Sequence, residues 1–118
     1  LEVNSMIVDT EFGAVTIRHE VVKEIVYKAV IESYGTVEMG KQGFFDKLAN
    51  LWTKDESKGI NIVEEDGKIN VDLHLVLEYG LPVKRVAQNT QENVYHRIVS
   101  MLNYDDVQVN VHIAGLKL

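Results

Sequence analysis

From Ile69 to Leu77 every odd position is apolar: Ile69, Val71, Leu73, Leu75 and Leu77. The even positions are Asn70, Asp72, His74, Val76 and, one step on, Glu78. Side chains alternate between the two faces of an extended chain, so this stretch predicts a strand with one hydrophobic face and one largely polar face. The same design returns near the end of the chain, where Val107, Val109, Val111 and Ile113 alternate with Gln108, Asn110 and His112. Two strands built to one rule predict a sheet covered by other elements on a single side.

The covering elements are read from a different period. Val21, Val22, Ile25, Val26, Ala29 and Val30 recur at helical spacing and predict a helix over residues 20–34, with Gly35 as its C-terminal cap. Its many β-branched residues lower intrinsic helix propensity, so burial must hold it. Val83, Val86, Ala87, Thr90, Val94, Ile98 and Met101 predict a second long helix, opened by Pro82 and running to about Leu102.

Shorter features fill the intervals. Gly13-Ala14-Val15-Thr16-Ile17, entered from Phe12, predicts a strand, and Thr36-Val37-Glu38-Met39 suggests another. After Gly40 and Gly43, the sequence FFDKLANLW places Phe44, Phe45, Leu48, Leu51 and Trp52 on one face of a short amphipathic helix, followed by a polar connector. Gly59-Ile60-Asn61-Ile62-Val63 predicts a strand joined to the one that opens at Ile69 by Asp66-Gly67, a dipeptide suited to a tight hairpin turn. The order is β-α-β-(short α)-β-β-α-β. The predicted fold class is α/β (α+β): a two-layer sandwich of a mixed sheet with two long helices packed on one face, in a single domain spanning residues 1–118.

Composition narrows the function classes. The 118 residues contain no cysteine, which removes thiol catalysis, thiolate metal sites and disulfides. A formal net charge of −6 disfavours sequence-independent nucleic-acid binding and purely electrostatic adhesion to anionic lipid. No apolar run reaches the roughly 20 residues that a spanning helix requires, and no signal peptide is visible. The default compartment is the cytoplasm.

The polar face raises the question of chemistry. Asp72, His74 and His112 form a two-histidine, one-carboxylate set of the kind that binds zinc or iron, provided the last strand lies beside the strand carrying Asp72. The plainer reading is a solvated sheet face. Acid–base work by Asp72, His74 and Glu78 needs a concave, desolvated pocket that an open sheet face does not offer. Ser5, Ser33 and Ser100 are not on a strand-to-helix elbow, and the dispersed glycines form no phosphate-cradling loop. Glu64-Glu65-Asp66 matches a calcium loop in charge alone and reads as a wet hairpin tip. In FFDKLANLW the aromatics Phe44, Phe45 and Trp52 suit a cover over the end of the core, a docking element or, least well with only Lys47 and Lys54 as cations, a lipid interface.

Several separate stretches together resemble one family. They are Gly13-Ala14-Val15-Thr16-Ile17; Val21-Val22 through Ala29; Lys58-Gly59-Ile60; Val71-Asp72-Leu73-His74-Leu75-Val76-Leu77-Glu78-Tyr79-Gly80; Val86-Ala87, Gln91 and Val94; and Val109-Asn110-Val111-His112-Ile113-Ala114-Gly115. The chain resembles the alkaline shock protein family of Gram-positive and related bacteria, also called the envelope stress response or YloU-like family, from about Gly13 to Gly115. The resemblance implies a small, non-enzymatic cytoplasmic protein, and no cofactor is expected. It also implies accumulation at the membrane through an anchor protein, support of envelope homeostasis under stress, and, for some members, self-association. The FFDKLANLW segment departs from the family pattern.

Residues and resemblance together predict an interaction module and not an enzyme. Its expected contact surfaces are the sheet face (Asp72, His74, Glu78, Asn110, His112) and, independently, the amphipathic segment over 43–54 (Phe44, Phe45, Trp52). Expected partners are proteins, including a membrane-anchored one and further copies of the chain, without nucleic acid or direct membrane insertion. The alternative is a small-ligand or metal-binding regulator that uses the same polar face.

Overall fold

The structure, a computed structural model, describes residues 5–38 and 59–118. Phe44, Phe45 and Trp52, with the short helix and polar connector expected around them, lie outside the described residues.

Two strands, β1 (Ser5–Thr10) and β2 (Gly13–Arg18), form an antiparallel hairpin. Helix α1 (His19–Glu38) follows without a break. Strands β3 (Ile60–Glu65) and β4 (Lys68–Glu78) form a second antiparallel hairpin, helix α2 spans Val83–Leu102, and β5 (Val107–Lys117) runs parallel to β4. The strand order β3-β4-β5 makes a three-stranded mixed sheet, and β1-β2 stands as a separate two-stranded sheet. The fold is α+β, as the hydrophobic periods predict.

Strand β4 is central, paired with β3 on one edge and β5 on the other, and one whole face of it is buried. Ile69, Val71, Leu73, Leu75 and Leu77 are all sealed from solvent. They meet Val22, Ile25, Val26, Ala29 and Val30 of α1 and Val86, Val94 and Ile98 of α2 in one hydrophobic cluster. Each such aliphatic side chain contributes about 1.5–3 kcal/mol through removal from water. The two helices are also tied by polar contacts, where Asn93 Nδ2 donates to Ser33 Oγ at 2.6 Å and Arg97 pairs with Glu32. The ends of the predicted stripes are less buried than their periods imply. Val21, Val83 and Met101 are exposed, and each lies in the first or last turn of its helix.

The turns follow residue chemistry. Asp66 and Gly67 take φ of 51° and 83°, the paired positive values that a tight two-residue hairpin turn requires. At the end of α2, Asn103 adopts the left-handed conformation and its N–H bonds Val99 O at 2.9 Å. Pro82 occupies the N-cap of α2, and Val86 N–H bonds its carbonyl at 3.0 Å.

Three expectations are corrected. Gly35 does not end α1, and Thr36, Val37 and Glu38 are helical instead of extended. An interior glycine costs only about 1 kcal/mol relative to alanine, which one continued run of backbone hydrogen bonds can offset. Strand β1 has no counterpart in the predicted order. Its Met6-Val8-Thr10 alternation is short, and its turn through Glu11 and Phe12 lacks an Asn-Gly or Asp-Gly signal. Finally, the strand entered from Phe12 joins β1 and stays out of the main sheet.

Candidate functional site

The polar face of the sheet is built by register. The parallel pairing of β4 with β5 sets Asn70 beside Gln108, Asp72 beside Asn110 and His74 beside His112. On its other side Asp72 neighbours Asn61 of β3. A strand alternation fixes which residues share a face, and this pairing fixes which of them touch. The condition placed on His112, that β5 lie beside β4, is met.

Asp72 is the hub. Its Oδ1 accepts from Asn110 Nδ2 at 3.2 Å and lies 3.3 Å from His112 Nε2. Asn110 Oδ1 in turn accepts from Gln108 Nε2 at 3.1 Å, so the line runs Gln108–Asn110–Asp72–His112 across two strands. His112 also stacks on His74, with ring centroids 4.7 Å apart and planes 14° from parallel. Both rings are exposed, while Asp72 and Asn110 are half-buried. The result is a pre-arranged polar surface with donor and acceptor capacity facing outward.

Of the five sheet-face residues predicted, Asp72, His74, Asn110 and His112 come together. Glu78 does not. It stands four residues beyond His74, on the order of 13 Å along the strand, in register with Lys117 past an irregularity in the pairing at Leu75/Val76. Gln108 joins the group through Asn110. Its place is visible in the alternation, but its bond to Asn110 links two residues on one strand and leaves no period to detect.

The arrangement bears on metal and acid–base readings. Stacked imidazoles turn their faces to one another, whereas metal ligands aim ring nitrogens at a common point. Among the described residues no three His, Asp or Glu side chains are grouped as ligands. Asp72 is occupied by an amide and an imidazole on an open surface, with no enclosing walls from the sheet itself.

Gln91 has a role that sequence does not disclose. Its Nε2 donates to the Val109 carbonyl at 3.0 Å, tying α2 to the outer edge of β5. A side chain reaching across 18 residues to a backbone carbonyl carries no local signature.

Comparison with known proteins converges on one group. The model of the alkaline shock protein 23 family, described by a cell envelope-related function, matches residues 8–118. The chain belongs to this alkaline shock protein family. Among its relatives, the uncharacterized protein YloU of Bacillus subtilis (strain 168) is 26% identical over 111 residues, covering 92% of each chain. The uncharacterized protein YqhY of the same organism is 28% identical over 109 residues, covering 92% of this chain and 81% of YqhY. The uncharacterized protein Spy1614 of Streptococcus pyogenes serotype M6 is 28% identical over 113 residues, covering 94% of this chain and 93% of Spy1614. No solved structure matches. Among the described residues no helix is long and apolar enough to cross a membrane.

Proposed function

We propose that this alkaline shock family chain is a non-catalytic contact protein of the cell-envelope system. It works in the cytoplasm by associating with itself and with a membrane-anchored protein. The observation that carries this reading is the ordered line Gln108–Asn110–Asp72–His112, with His74 stacked at its end, on a sheet face that no element of the described chain covers. A flat, polar, partly pre-ordered surface suits wet and reversible protein contacts, in which direct and water-bridged hydrogen bonds share the work. The net charge of −6 points the same way, because it leaves protein surfaces and not phosphate backbones as the natural counterpart.

The test is absolute mass by light scattering over a wide range of protein concentration, for the wild type and for Asp72→Lys. Concentration-dependent growth in mass that Asp72→Lys abolishes, with its circular dichroism and Tm retained, supports the sheet face as the contact. Growth unchanged by Asp72→Lys removes the sheet face from the reading. A monomer at every concentration removes self-association.

A further inference from the structure

The β1–β2 hairpin is an arm. Among the described elements its substantial packing neighbour is α1, met through β2 at the hairpin base. Met6 is buried there and Ile17 half-buried, but every residue from Asp9 to Thr16 is exposed. Both faces of the outer hairpin therefore meet water. It carries Ile7 at 64%, Phe12 at 92% and Val15 at 47% exposure. An isolated two-stranded hairpin is at best marginally stable, and normally needs a third strand or a covering layer.

Among the described strands of the main sheet β5 is the last, on the side of β4 away from β3. Along a strand, successive residues direct their N–H and C=O groups to opposite edges. Asp106 O accepts from Ile69 N–H at 2.9 Å, so its parity faces β4, and Val109 O, bonded by Gln91, faces outward. Val111 and Ile113 share the parity of Val109. Beyond the irregularity at Leu75/Val76 the parity flips, because Lys117 O accepts from Tyr79 N–H at 2.8 Å. The outward backbone past the Gln91 clasp thus belongs to Val111, Ile113 and Leu116. These same residues have incompletely covered side chains: Val111 and Ile113 are half-buried, and Leu116 is 50% exposed. No proline and no Lys, Arg, Asp or Glu before Lys117 protects this stretch.

We infer that the β1–β2 arm of one copy adds to the open β5 edge of a second copy and extends its three-stranded sheet. Three features fit the two surfaces to each other. A six-residue arm strand, about 20 Å long, is close in length to the stretch from Val111 to Lys117. Register places Met6, Val8, Val15 and Ile17 on one face of the arm; Met6, Val8 and Ile17 pack into this chain's own core, and the exposed Val15 would continue the face of Val111, Ile113 and Leu116. The opposite arm face carries Asp9, Thr16 and Arg18 together with the exposed Ile7, and would continue the face of Asn110 and His112. The inference rests on the self-association part of the proposed function, and its test reads the seam directly, apart from the Asp72→Lys comparison.

The absence of cysteine gives a clean experiment. Thr16→Cys, on the arm, and Ala114→Cys, at the exposed irregularity of β5, are mixed and oxidised, and each is also oxidised alone. Covalent dimers in the mixture in excess of those in either single variant are expected. Adding Val15→Asp to the Thr16→Cys chain, with circular dichroism confirming the fold, is expected to abolish them. A short flexible bis-maleimide repeats the mixture without oxidation, so that cross-linking does not depend on one register. Homodimers from Thr16→Cys alone or from Ala114→Cys alone, without mixed dimers, overturn the arm-to-edge pairing. Absence of any cross-link by either chemistry, from a protein that grows in mass by light scattering, also overturns the pairing and leaves self-association standing. A wild type that is monomeric throughout ends both.

Discussion

His74 and His112 lie face to face across the parallel β4–β5 pair, centroids 4.7 Å apart, with Asp72 Oδ1 3.3 Å from the second ring. Because the rings are exposed, they add little to the fold. His112→Ala is expected to cost about 0.2–1 kcal/mol, the usual value of a cross-strand pair, by urea denaturation. The same variant is expected to weaken self-association measured by light scattering. A loss of several kcal/mol instead would mean that the pair is part of the core and not of a contact surface.

Leu75 belongs to the same strand and is fully buried in the cluster it shares with the helices. Leu75→Ala is expected to cost about 2–5 kcal/mol, the transfer term plus a residual cavity. The check is the urea midpoint, which should fall with an unchanged slope.

Gly67 sits at φ 83° in the β3–β4 turn, where an added Cβ would stand 3.4 Å from the Tyr104 hydroxyl oxygen. Contact at that distance is ordinary, so the backbone conformation dominates. Gly67→Ala is expected to cost about 1–2 kcal/mol for the left-handed geometry. Gly67→Asn, which tolerates that region better, should recover part of it in the same thermal melt.

Burial, followed by the charges of Asp106, Glu64 and Asp105, pushes the Tyr104 hydroxyl above the usual tyrosine range. Burial moves Tyr27 in the same direction. Folding therefore favours the neutral phenol. The stability this contributes is complete below the unfolded value near pH ~10 and is lost as pH rises through the higher folded value. Tm is expected to fall as the solution is made more alkaline than this, and Tyr104→Phe should flatten part of the fall. Parallel curves for the two proteins would show that Tyr104 carries none of it.

Legibility from sequence follows the physics of each element. Ile69 to Leu77 can be placed because a period of two and a buried face select the same residues. Val86, Thr90, Val94 and Ile98 can be placed for the same reason at a period of 3.6. Asp72, His74, Asn110 and His112 can be assigned to one face, but their contacts depend on a register between strands separated by α2, and no local pattern encodes it. Gly35 misleads because the propensity difference it signals is small beside a continuing helix. Strand β1 escapes the pattern because its alternation is brief and its turn chemistry plain. The aromatics Phe44, Phe45 and Trp52 fall outside the described residues, so the second contact surface stands as a sequence expectation alone.

The bond from Gln91 to Val109 has a mechanical meaning. Helix α2 delivers the chain from β4 to β5, and the same helix then holds the strand it has delivered by one amide. Losing that amide, as in Gln91→Ala, would bare one more backbone carbonyl on the border of the sheet.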